Sequence, residues 1–304
     1  MILFYAASRV CPGRTTQYPI TTHNPVFWIH KDNPRMTVVH IDGFIVTKES
    51  KINGIFKKFE YIKESTDQFG EIQTEVLLKV FPKDEIRLIK QLADSLNCQF
   101  RTFIWPKNFP EGYEVNEKLI YSLSLDIIND NLAIQKQTLI SIKELEAGIR
   151  SLRGQSFTYG KPLNSAASNV ECYLANKTNN PWPGDIDAII YDKAKQKFVA
   201  FIEFKTHNKN TPIVNEHIGK YGQQDWRRFD VLFNWIDNFS IKFGYKPKLF
   251  FIVWGTNQNY QNHANLKIDI IERNKLVKSM LYPRPPFDKF SESLVAFLLN
   301  AAII

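Results

Sequence analysis

Two apolar runs joined by a short polar segment dominate the hydrophobic pattern of this chain. Ile186 to Tyr191 is the first, Phe198 to Phe204 the second, and Asp192 to Lys197 is polar between them. Both runs have strand length and are rich in β-branched and aromatic residues. Pro183-Gly184 precedes the first, so the pattern predicts a β-hairpin. Phe198-Val199-Ala200-Phe201-Ile202 is apolar at odd and even positions alike, which predicts an inner strand covered on both faces.

Upstream, Ile2 to Ala6 reads as a strand. Val26 to His30 and Thr37 to Val46 are apolar or aromatic runs divided by turn residues (Asn33-Pro34, Asp42-Gly43), so the first part of the chain reads as β-rich. Ile86, Leu88, Ile89, Leu92 and Leu96 recur near helical spacing behind Pro82 and predict a helix over 84–97. Arg101 to Trp105 reads as a strand. Leu119, Leu123, Ile127 and Ile128 fall on one side of a helix over Glu114 to Asn131. Ser141 and Glu144 form a capping box for a helix that runs to Arg153 and stops at Gly154. Asn169 to Ala175 then reads as a strand. Beyond the hairpin, Trp226, Phe229, Leu232, Phe233 and Ile236 share one face of a helix over Gln223 to Phe239. Lys248 to Trp254 is a buried strand by composition and, because it follows a helix, is expected to run parallel to the hairpin's second strand. Leu266 to Ile271 adds a strand and Phe287 to Leu299 a closing helix. The character of the chain changes near residue 138, dividing it into an N-terminal α+β region, 1–137, and a second region, 138–304.

Three polar residues stand where this pattern alone would not put them. Asp187 lies near the start of the first hairpin strand; Glu203 and Lys205 flank Phe204 at the end of the second. Residues two apart on a strand share a face, so Glu203 and Lys205 point the same way. In an antiparallel hairpin the start of one strand lies beside the end of the other, which brings Asp187 close to Glu203. Two carboxylates suit a hard cation such as Mg²⁺, which takes oxygen ligands and keeps several waters. A lysine beside it can orient a water and stabilise charge developing on a phosphate.

The order Asp187, then Glu203-Phe204-Lys205 on the adjacent strand, resembles the PD-(D/E)XK nuclease superfamily, over about residues 140 to 255. The resemblance implies an α/β fold: a restriction endonuclease-like αβββαβ core, with a mixed central sheet flanked by helices, beside the N-terminal α+β region. It implies that Asp187, Glu203 and Lys205 are catalytic, and that Asp187, Glu203 and the carbonyl of Phe204 hold Mg²⁺, with Mn²⁺ as substitute. Asp185 replaces Asp187 if the register slips by two. Glu146, on the helix before the core, and Glu171 compete as an additional acid; a solvated glutamate is the plain alternative for each. The helix after Glu203-x-Lys205 starts near the site in this superfamily, so Gln223, Gln224, Arg227 and Arg228 are expected to contact nucleic acid, with Lys209 in the preceding loop; Arg227 and Arg228 serve equally well as a solvated face. The expected activity is metal-dependent hydrolysis of DNA phosphodiester bonds, as an endonuclease of restriction, repair or mobile-element type. The competing reading is a catalytically inactive nucleic-acid-binding protein.

Composition narrows the classes further. The chain has 304 residues, 44% of them hydrophobic, enough for a large core, and a net charge of +8 that favours a polyanionic partner. No apolar run approaches the roughly 18 residues a membrane helix needs, so no membrane association is expected. Cys11, Cys98 and Cys172 are widely spaced and odd in number; neither a disulfide framework nor a zinc site follows, and a cytoplasmic location fits. The spacings of His23, His30 and His40 match no metal motif. Gly-rich phosphate loops and Gly-x-Ser-x-Gly elbows are absent. Cleavage of both strands would favour a homodimer.

Overall fold

The computed structural model describes residues 1–16, 21, 23–30, 34–49, 51–62, 70–154, 162–273 and 275–302, leaving aside the side chains of 221–228. In chain order the elements are β1 (Ile2–Phe4), β2 (Arg9–Val10), a 3-10 turn (Pro25–Trp28), β3 (Met36–Val46), β4 (Ile52–Ile62), α1 (Thr74–Leu78), α2 (Lys83–Ser95), β5 (Gln99–Pro106), β6 (Ile120–Ile128) and β7 (Asn131–Ile140). There follow α3 (Ile142–Arg153), β8 (Ser165–Ala166), α4 (Asn169–Lys177), β9 (Gly184–Asp192), β10 (Lys197–His207), α5 (Gly222–Phe243), β11 (Lys248–Gly255), β12 (Asn265–Glu272), β13 (Lys275–Pro283) and α6 (Glu292–Ala301).

Eleven of the thirteen strands among the described residues hydrogen-bond in one mixed sheet, order β13-β12-β11-β10-β9-β3-β4-β5-β6-β7, with β1 paired on β4, and β2 pairs with β8 on its own. This overturns the expected restriction endonuclease-like αβββαβ core. The sheet is far larger than that core, and only six α-helices accompany it among the described residues. Asn169 to Ala175, expected as a core strand, is helix α4. Its alternation of Val170, Cys172 and Leu174 suggests a strand. The Ser168 hydroxyl, however, accepts the Glu171 N–H and caps a helix, and Val170 and Leu174 are buried one turn apart. The expected helix over Glu114 to Asn131 is instead β6, which turns into β7 through Asn129 and Asp130. Both turn residues have positive φ, 49° and 62°, as a tight hairpin turn requires. The run Val26–His30 is the 3-10 turn, capped by Asn24 with Pro25 at its start. Asp42-Gly43 does not turn; it lies inside β3.

The chain forms two compact units. The first comprises Met1–Thr22 and Ile41–Asp185. Trp182 explains Gly43 here: the indole Nε1–H donates to the Asp42 carbonyl at 2.6 Å, and a Cβ on Gly43 would lie 2.9 Å from that nitrogen. Buried charges cluster on β4. Lys57, fully buried, sits 3.3 Å from both Asp42 and Glu85. Burial depresses its pKa, but the two carboxylates outweigh burial and hold it above the usual lysine range. The unit also carries a disulfide between Cys11 and Cys172, both buried, leaving Cys98 as the free thiol. The expectation of unpaired cysteines is corrected, and with it goes the support that the thiols gave to a reducing cytosol.

The second unit comprises His23–His40 and Ile186–Ile304. One face of its strands, with Ala188, Ile190, Ala200, Ile202, Phe250, Ile252 and Ile268, packs on Leu294, Val295 and Leu298 of α6. The other face packs on α5, where Phe201 meets Trp235 and Phe239, and Phe251 meets Phe229. As expected, β9 and β10 form an antiparallel hairpin and β10 pairs parallel with β11. A β-bulge at Val199 shifts the β9–β10 register by one residue. No helix among the described residues is long and apolar enough to cross a membrane.

Candidate functional site

The hairpin is fixed at its turn. The Asp192 carboxylate accepts the N–H groups of Ala194 and Lys195 at 3.0 and 3.1 Å, an Asx-type closure. Beyond the bulge the register runs Ala200 with Ile190, Phe201 with Ile189 and Ile202 with Ala188. The paired register ends at Ile202 and Ala188, and Asp187 follows directly beside the Glu203-Phe204-Lys205 stretch.

Parity on the strand decides the face. Ile202 and Phe204 join the core against α6. Glu203 and Lys205 therefore project to the face that α5 covers, and so does Asp187, flanked by buried Ile186 and Ala188. Glu203 is only 3% exposed, whereas Asp187 and Lys205 are half-buried. A carboxylate so enclosed demands hydrogen bonds or a cation. One oxygen of Asp187 accepts the backbone N–H of Phe204 at 2.7 Å, which ties the acid to the middle of Glu203-Phe204-Lys205. His40, on β3, stands at the other side: its Nδ1 lies 2.7 Å from the Asp187 carbonyl. A carbonyl only accepts, so Nδ1 carries the proton. Nothing in the spacing of the three N-terminal histidines distinguished His40; only the pairing of β3 with β9 reveals it.

Helix α5 runs antiparallel to β10. Its Phe229 packs on Phe251, the residue registered with Glu203, while Phe239 packs on Phe198 and Phe201 toward the hairpin turn. Its N-terminal end therefore lies at the Glu203 end of the strands. The side chains of Gln223, Gln224, Arg227 and Arg228 lie outside the described residues. Lys209 is exposed in the loop after β10.

The three remaining candidate acids lie in the first unit. Glu146 accepts from the Asn180 amide at 2.9 Å. Glu171, on α4 rather than a strand, pairs with Lys58 at 2.6 Å. Burial depresses the Lys58 pKa most, but Glu171, Asp42 and Asp185 together reverse the shift and keep it raised. Asp185 thus belongs to the field of Lys58. Among the described residues no group of three or more His, Cys, Asp or Glu side chains is gathered to hold a metal.

No protein-family profile matches the chain, and no curated protein matches it. The crystal structure of a sex pheromone staph-cAM373 precursor aligns over 93% of this chain and 86% of its own, at 11% identity and a TM-score of 0.16. A likeness that weak carries no argument about fold or function.

Proposed function

We propose that the chain is a metal-dependent nuclease that hydrolyses DNA phosphodiester bonds at the Asp187–Glu203–Lys205 end of the hairpin. The observation that carries this reading is the 2.7 Å hydrogen bond from the Phe204 N–H to the Asp187 carboxylate, which joins that acid to Glu203-Phe204-Lys205. It joins the sequence resemblance of Asp187 and Glu203-x-Lys205 to PD-(D/E)XK nucleases. The donor set fits a hard cation: Asp187 and Glu203 supply carboxylate oxygen, and Mg²⁺ needs only one or two such ligands with waters and substrate phosphate. Asp187, Glu203 and the Phe204 carbonyl would hold it; Mn²⁺ would substitute. When bound, the cation supplies polarisation of the phosphoryl oxygen.

The chain's own residues do the rest. Lys205, half-buried on the same strand face as Glu203, orients the attacking water and neutralises charge growing on the phosphate. The Phe204 N–H bond holds the Asp187 carboxyl in a fixed rotamer, so little reorganisation is needed when substrate arrives. One such set per chain cuts one strand, so cleavage of both strands calls for two copies. The alternative, a nucleic-acid binder without activity, leaves the acids Asp187 and Glu203 and the nearby Lys205 without a chemical role.

The test is cleavage of supercoiled and linear DNA with Mg²⁺ or Mn²⁺, wild type beside Lys205→Ala. Metal-dependent cutting reduced by about 10²-fold or more in the variant is expected. Equal cutting by both proteins would remove Lys205 from the mechanism. Binding without cutting would favour the alternative.

A further inference from the structure

The segment that follows Lys205 is pinned along nearly its whole length. His207, 4% exposed and on the same strand face as Lys205, reaches the Thr211 carbonyl through Nε2 at 2.9 Å and the Glu216 carboxylate through Nδ1 at 3.3 Å. Asn208 accepts from Thr256 at 2.8 Å, and Asn210 accepts from Asn262 at 3.1 Å. The Glu216 carbonyl receives the ammonium of Lys267, itself 2.9 Å from Asp269, whose other oxygen takes the Ser279 hydroxyl at 2.6 Å. Between these anchors stands Lys209. Its carbonyl lies 2.8 Å from Nε2 of His263, a fully buried ring. Nδ1 of that ring accepts the Asn257 N–H at 3.0 Å. One nitrogen accepts and the other faces a carbonyl, so His263 is the neutral Nε2–H tautomer and donates to Lys209. Gly255 makes room for the ring: a Cβ there would fall 2.1 Å from His263 Cγ.

Lys209 itself is exposed. Buried charged and imidazole groups are costly, and here they converge on one short loop at the end of the Glu203-x-Lys205 strand. We propose that residues 207–216 form a pre-organised strap that presents the Lys209 ammonium to a phosphate of bound DNA, and that His263 is its positioning residue. The inference rests on DNA being the partner. A loop already fixed loses little freedom on binding, and a lysine on it serves as a point charge for phosphate.

The test is a double-mutant cycle read by fluorescence anisotropy on a labelled DNA duplex across a salt series, with Lys209→Ala, His263→Ala, their combination, and His263→Gln. Lys209→Ala should weaken binding by roughly three- to tenfold and lower the salt slope by about one. His263→Ala should do nearly the same, the combination no more than Lys209→Ala alone, and His263→Gln, whose amide can both donate and accept, should recover affinity. Thermal melts identify any variant that is unfolded, in which case Lys209→Ala and His263→Gln decide. Losses that multiply in the double variant, or an unchanged salt slope for Lys209→Ala, would overturn the strap while wild-type cutting leaves the nuclease reading intact. A wild type that binds no duplex overturns both.

Discussion

Breaking the Cys11–Cys172 disulfide should remove a large share of the stability. The bond joins residues 161 apart in sequence, and both partners are buried at 1% and 2% exposure. Without it, the unfolded chain regains the freedom of a very long loop. The chain-entropy relation gives about 5 kcal/mol for closure of that length. For domains of this size each kcal/mol moves Tm by roughly 2–4 °C, so the Cys11→Ser/Cys172→Ser protein should melt about 10–20 °C lower. Calorimetry of wild type with and without reductant should show the same gap. Thiol titration of the denatured, unreduced protein should count only Cys98. In the folded state Cys98 should react slowly, since burial pushes its thiol up to about 12. Three reactive thiols in the unreduced protein, or a double variant that melts with wild type, would refute the reasoning.

Lys57→Ala removes the ammonium that Asp42 and Glu85 share and should cost about 3–5 kcal/mol, seen as a lower urea midpoint at unchanged slope. Burial holds His263 below the ordinary histidine pKa, so the unfolded state takes up its proton first. The stability from neutral His263 is complete above about pH 6.5 and declines as pH falls below it; His263→Gln should flatten that decline in denaturant melts. Asp187→Asn keeps an oxygen to accept the Phe204 N–H, so Tm should move by no more than about 2 °C while the calorimetric heat of Mg²⁺ binding falls; full metal binding by this variant would exclude Asp187 as a ligand.

The hairpin was legible because two signals agreed. The apolar runs gave strand length, and the polar Asp192–Lys197 turn left one pairing, which in turn brought Asp187 to the Glu203-Phe204-Lys205 stretch. Helix α3 was legible from Ser141 and Glu144, whose reciprocal cap is present. Helix α4 was not, although Ser168-x-x-Glu171 carries the same signal, because three apolar residues at alternate positions outweighed it. For β6, Leu119, Leu123 and Ile127 fell four apart by accident of a strand covered on both faces, and the Asn129-Asp130 turn was the stronger clue. These two stretches and β4 hide the fold class from the sequence. In β4 the Phe-Lys-Lys-Phe-Glu-Tyr run hides a core strand, since Lys57, Lys58 and Glu60 are buried only by virtue of partners far along the chain. Long-range ion pairs leave no local trace. His40 beside Asp187 and His263 beneath Lys209 were hidden for the same reason.

The bulge at Val199 gives the hairpin a tolerance of length. Phe198 pairs with Tyr191 before it and Ala200 with Ile190 after it. Deleting Val199 would leave both pairings in place and turn the hairpin into an uninterrupted ladder. The slack sits between the turn and the acids, so a residue gained or lost there is absorbed as a kink. Glu203 and Lys205 take their phase from Ile202 against Ala188, and the turn takes its own from Asp192. Drift in one half of the hairpin therefore need not be read out in the other.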